Sequence, residues 1–66
     1  MRISVEHLGE TLTVMSHDPI TVSEVLSKLE IHPSTVLVVH GETIVPHTSS
    51  IGADIELELI VVSSGG

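Results

Sequence analysis

Residues 21–30 read TVSEVLSKLE, and this is the stretch in which apolar residues recur at helical spacing. Val22, Val25, Leu26 and Leu29 fall on one helix face. Thr21 followed by Glu24 has the form of a capping box, in which side chains satisfy backbone N–H groups left orphaned at a helix start. His32-Pro33 lies where a helix cannot continue. On either side the period drops to two. RISVEHLGETLTVM alternates Ile3 and Val5 with polar residues, is expected to turn at Gly9-Glu10, and resumes with Leu12 and Val14; Asp18-Pro19 then breaks the strand. STVLVVHGETIVP reads as a second hairpin turning at His40-Gly41-Glu42 and closed by Pro46. HTSSIGAD is an irregular connector, and IELELIVV is the last and longest strand. In that strand Ile55, Leu57, Leu59 and Val61 share one face, while Glu56, Glu58, Ile60 and Val62 share the other. One helical stripe with five strands implies a two-layer α+β domain in the order ββαβββ, the helix packed on a mixed five-stranded sheet. The domain is expected to occupy residues 1–62, with residues 63–66, Ser-Ser-Gly-Gly, as a flexible tail.

The core of such a domain has few materials. The chain has 66 residues, no cysteine and no Phe, Tyr or Trp, so Val, Leu and Ile must fill an interior that disulfides cannot reinforce. Without aromatic platforms, nucleic-acid binding by base stacking is disfavoured. The charge agrees: two basic residues oppose nine carboxylates, a net charge of −7, which repels phosphate and steers the protein toward basic partners. No apolar run is longer than Val36 to Val39, too short to cross a membrane, and the N-terminus does not resemble a signal peptide. A soluble cytoplasmic protein is expected.

Few residues offer chemistry of their own. There is no phosphate-binding Gly-x-x-x-x-Gly-Lys-Ser/Thr loop, no nucleophile with a positioned base, and no paired acid and base, so the chain is not expected to be an enzyme or to carry a cofactor. The five histidines (His7, His17, His32, His40 and His47) lack the His-x-x-x-His spacing that sets two ligands on one helix face. His40 and His47 could approach across the second hairpin, but surface histidines without a metal are the expectation. Ile60, Val62, Leu37 and Val39 fall on the sheet face opposite the helix, either as ordinary aliphatic surface or as a docking patch. Glu56 and Glu58 beside them suit solvated charge or recognition by a basic partner. Lys28 is the one lysine, placed on the polar side of the helix.

The ββαβββ order, the VLVVHGETIVP hairpin, the Gly52-Ala53-Asp54 turn and the final Gly65-Gly66 together resemble the ubiquitin-like β-grasp sulfur carriers and small modifiers. That family includes the thiamin- and molybdopterin-pathway sulfur carriers and the small archaeal modifier proteins, the last looking closest. Two terminal glycines alone arise by chance in about one chain in two hundred; their place directly after a final strand gives them weight. The resemblance implies that the Gly66 carboxylate is adenylated by an ATP-dependent activating enzyme. It is then converted to a thiocarboxylate with a sulfur donor or sulfurtransferase, or captured as a thioester and passed to a target lysine. On this reading Gly65, Ser64 and Ser63 form the recognised tail. Glycine lacks a Cβ and can thread a tight channel, and four extended residues reach about 13–14 Å. Sulfur would end in a thiolated tRNA base, molybdopterin or thiazole. Lys28 or the N-terminal amine would be the acceptor if the protein forms chains. The rival reading is a non-covalent β-grasp interaction module whose glycines are incidental.

Overall fold

The computed structural model describes residues 1–62; the expected tail, 63–66, lies outside the described residues. The elements are β1 (Arg2–His7), β2 (Glu10–Met15), β3 (Ile20–Thr21), α1 (Val22–Lys28), a 3-10 turn (Pro33–Thr35), β4 (Val36–His40), β5 (Thr43–Val45), β6 (Ser50–Ile51) and β7 (Ile55–Val61). Five strands form one mixed sheet in the order β2-β1-β7-β4-β5. The last strand is thus the central one, parallel to β1 and antiparallel to β4. The expected architecture of one helix on a mixed five-stranded sheet is present.

The first hairpin turns one residue earlier than the sequence suggests. His7 pairs with Glu10, so the turn residues are Leu8 and Gly9, and both have positive φ, 52° and 80°. This is the backbone of a tight two-residue hairpin, whose twist matches that of the strands. Gly9 adopts it freely, whereas Leu8 does so under strain. The second hairpin turns at Gly41-Glu42, with His40 opposite Thr43 and Gly41 at φ 64°.

The helix starts as its sequence dictates. The Thr21 hydroxyl accepts from the Glu24 N–H at 3.2 Å and donates to the Glu24 carboxylate at 3.2 Å. The N–H groups of Val22 and Ser23 donate to the carbonyls of Ser49 and His47, so the irregular connector also serves as a cap. At the other end the Ile31 N–H donates to Leu26 O at 2.9 Å and the Glu30 N–H to Ser27 O at 3.1 Å. Glu30 has φ 60°. These bonds make a Schellman ending with glutamate in the left-handed position that glycine usually fills.

Val22, Val25 and Leu26 of α1 pack on Ile3, Val5 and Val14 of one hairpin and on Val36, Val38, Leu57 and Leu59 of the neighbouring strands. The connector holds a short pairing the alternation pattern does not announce: Ile20 lies opposite Ile51 and Thr21 opposite Ser50. It delivers two further buried isoleucines to the core. No polar or charged side chain is buried among the described residues. The Asp54 carboxylate accepts from the Arg2 N–H at 2.7 Å. The Gly52-Ala53-Asp54 turn therefore fixes where β7 begins against β1.

Burial stops short of the end of the inner face of β7. Leu57 and Leu59 are buried, but Val61, expected inward with them, is 49% exposed. The β1–β7 pairing ends at Glu6–Glu58, so Val61 has a strand neighbour on one side only, Val36 of β4.

Candidate docking surface and tail exit

Because β7 is central, the described residues end, at Val62, beside the middle of the sheet. The last described step is tied down: the Val62 N–H donates to Thr35 O at 3.0 Å, setting the exit beside the 3-10 turn. On the outer face Ile60 lies directly opposite Leu37. Ile60 is 44% exposed and Val62 55%. One row further along, Val39 lies between Glu58 and Ile44. Val39 is half-buried and Ile44 exposed. The aliphatic residues singled out from the sequence, Leu37, Val39, Ile60 and Val62, are thus neighbours around the exit.

The carboxylates flank them. Glu58 is exposed, with Glu6 opposite it on β1, and Glu56 is exposed one row away opposite Ser4. Like charges directly opposite each other are unfavourable, so a cation supplied by a partner would relieve the Glu6–Glu58 pairing. The outer face accordingly divides into an aliphatic end at the exit and, behind it, a strip of carboxylates with Arg2 at its far end.

Several exposed apolar groups were not singled out from the sequence. Leu8 is 77% exposed at the hairpin tip, and Met15, Ile44 and Val61 are also exposed. Parity held a signal for two of them. With Ile3 and Val5 inward, Leu8 is out of phase with the core; with Val38 inward, its partner Val45 points the same way and Ile44 the other. Lys28 is exposed in the last turn of α1. The histidines do not assemble: among the described residues no three His, Cys, Asp or Glu side chains gather to hold a metal ion. No helix among those residues is long and apolar enough to cross a membrane. The calls on Gly66, Gly65, Ser64 and Ser63 lie outside the described residues.

One helix laid across this strand order is the ubiquitin-like β-grasp fold. Among solved structures, the ubiquitin of Caldiarchaeum subterraneum matches with a TM-score of 0.72 over 100% of this chain and 98% of its own, at 18% sequence identity. The likeness is one of fold. No family model matches the sequence, and no curated protein does.

Proposed function

We propose that this protein is a ubiquitin-like carrier and modifier that works through the carboxyl group of Gly66. The observation that carries the reading is the route of the chain. The central strand of a ubiquitin-like sheet leads out at Val62 beside exposed Ile60 and Leu37, and the sequence then runs Ser-Ser-Gly-Gly. In this reading an adenylating enzyme of the ubiquitin-activating type docks on the outer face and takes the tail into its own site. A Gly66 carboxylate oxygen attacks the α-phosphorus of ATP and pyrophosphate leaves, giving an acyl-adenylate. Hydrosulfide from a sulfur donor displaces AMP to give the thiocarboxylate directly. A sulfurtransferase persulfide instead displaces AMP to give an acyl disulfide. A partner thiol then attacks the sulfurtransferase sulfur, releasing the thiocarboxylate and leaving a disulfide on the partners. Alternatively a partner thiolate takes the acyl group as a thioester, and a lysine amine of a target protein then displaces the thiol to form an amide. All catalytic groups belong to partners; the protein is their substrate.

Thiolation of tRNA and conjugation to protein lysines are the preferred outlets, with molybdopterin and thiazole synthesis as other destinations for the sulfur. A cytoplasmic setting, where ATP is available, fits this chemistry. Intact mass of the protein isolated from its native host is the test. It reads whether Gly66 is the last residue and whether one oxygen has been replaced by sulfur, a gain of about 16 Da. Conjugates are read after cleavage at Glu58, which leaves segment 59–66 on the target lysine. Trypsin is unsuitable because no Lys or Arg follows Lys28. Protein that stays unmodified in the host, and that forms no adenylate with ATP and the host's adenylating enzymes, would leave a non-covalent interaction module as the reading.

A further inference from the structure

The helix side of the sheet holds an open groove of about 510 Å³. Ser23 and Ser27, one turn apart on α1, form one wall. Glu30, Ile31, His32 and Pro33, where the chain passes from α1 into the 3-10 turn, form the rest. Ile31 and Pro33 are half-buried, and Ile31 packs against the core, so together they supply an apolar surface. Ser27, Glu30 and His32 are exposed.

The lining has a one-sided chemistry. Glu30 is its only residue with a formal charge when histidine is neutral, and neither lysine nor arginine is part of it. The Ser23 and Ser27 hydroxyls and the His32 ring can each accept a hydrogen bond. Acceptors beside an aliphatic surface complement a side chain that is cationic at its tip and apolar along its stem. The backbone singles out the same carboxylate. Glu30 sits at φ 60°, in the Schellman position where glycine is the unstrained choice. The N–H groups of Glu30 and Ile31 close the helix whatever side chain position 30 carries, and a carboxylate there opposes the helix dipole. Strain kept beside a cleft, with no gain to the fold, is a mark of function.

We propose that this groove docks an arginine side chain presented by a partner protein, with the Glu30 carboxylate as its counter-charge. Arginine suits the groove better than lysine. Its guanidinium is weakly hydrated and carries five donors, so it can bond the carboxylate and still offer N–H groups to the hydroxyls, while its methylenes lie on Ile31 and Pro33. A net charge of −7 draws a basic segment in. A second copy of this chain is the weaker occupant: its one arginine, Arg2, is set within β1, and it brings a like net charge. The groove and the aliphatic outer face lie on opposite sides of the sheet, so both can be occupied at once. The inference goes beyond the proposed function and does not rest on the tail.

The test is an NMR titration of the ¹⁵N-labelled protein with acetyl-Ala-Val-Arg-Val-Ala-amide and, in parallel, with the same peptide carrying citrulline, which keeps the shape of arginine without its charge. The arginine peptide is expected to shift the amides of Ser23, Ser27, Glu30, Ile31 and His32, with a response that falls as salt is added. The citrulline peptide should bind about fivefold more weakly, the scale of an exposed ion pair. Glu30→Gln keeps the left-handed backbone and removes only the charge. It should weaken the arginine peptide about fivefold and leave the citrulline peptide unchanged. Glu30→Gly should raise the thermal transition and lose the response, a trade that a purely structural residue would not show. The proposal is overturned if neither peptide binds, if both bind alike, if Glu30→Gln binds as the wild type does, or if the shifts centre on Glu6, Glu56 and Glu58. Shifts at the groove that grow with protein concentration, without peptide, would also overturn it in favour of a second copy.

Discussion

Glu30 holds a left-handed backbone at φ 60° with nothing in the packing of its side chain to explain the choice. A side-chain-bearing residue there is strained, and a carboxylate at a helix C-terminus faces the wrong end of the dipole. Glu30→Gly should therefore stabilise the domain by about 1 kcal/mol, a rise in Tm of roughly 4–8 °C for a chain of this size, read by thermal denaturation. Leu8 is strained in the same sense at φ 52°, but it displays an aliphatic side chain at the hairpin tip. Neighbouring residues of β7 should behave oppositely. Leu59 is 6% exposed, so Leu59→Glu buries an unpaired carboxylate in a small core and should unfold the protein. Ile60→Glu should leave the circular dichroism spectrum unchanged and weaken docking to an adenylating enzyme. If the Ile60 variant unfolds instead, the two faces have been exchanged.

The helix α1 carries the single lysine of the sequence. Lys28 is exposed in the last turn, so its amine is free to attack an activated glycine. Lys28→Arg keeps the charge and removes that nucleophile, since guanidinium stays protonated. Lysine-linked chains should vanish, while conjugation to other proteins and tRNA thiolation persist, as read by immunoblot and thiolated-tRNA analysis of a strain carrying the substitution. The helix was legible in the sequence because Thr21, Glu24 and the Val22-Val25-Leu26-Leu29 stripe all act locally. The alternation of Leu57 and Leu59 with Glu56 and Glu58 exposed the faces of β7 in the same way. What the sequence hid depends on geometry between elements. Val61 obeys strand parity but lies beyond the end of the β1–β7 pairing, with a strand neighbour on one side only. Ile20 and Ile51 pair across a long sequence gap, in a bridge too short to show a period. The Leu8-Gly9 turn was displaced by one residue because glycine alone does not say which turn position it fills. The aliphatic cluster could be named but not assembled, since the Leu37–Ile60 pairing requires knowing that β4 lies beside β7.

At the scale of the molecule, charge and tail are the quantities to perturb. A surface at −7 should meet a basic partner faster at low ionic strength, and stopped-flow association rates should fall as salt is added. Rates indifferent to salt would mean that docking is governed by the aliphatic end of the outer face alone. Deleting Gly66 should abolish adenylate formation, followed by pyrophosphate release, and leave the thermal transition where it was. A truncated protein that is still activated would contradict the proposed role of that carboxylate.

The central position of β7 also sets a timetable for synthesis. The two hairpins and the helix can form as the ribosome releases them, since their contacts are local. The parallel pairing of Ile3 with Ile55 must wait for nearly the whole domain to be made, and such distant pairings are the slow steps of folding. Until β7 arrives, β1 and β4 have no common neighbour and the sheet exists only as two separate halves. A nascent chain arrested before Ile55 should remain open to protease, and one extended far enough to free Val61 from the ribosome should resist it. The strand that leads to the diglycine is thus the one that completes the domain, so under the proposed function an unfinished domain would have no tail to offer an activating enzyme.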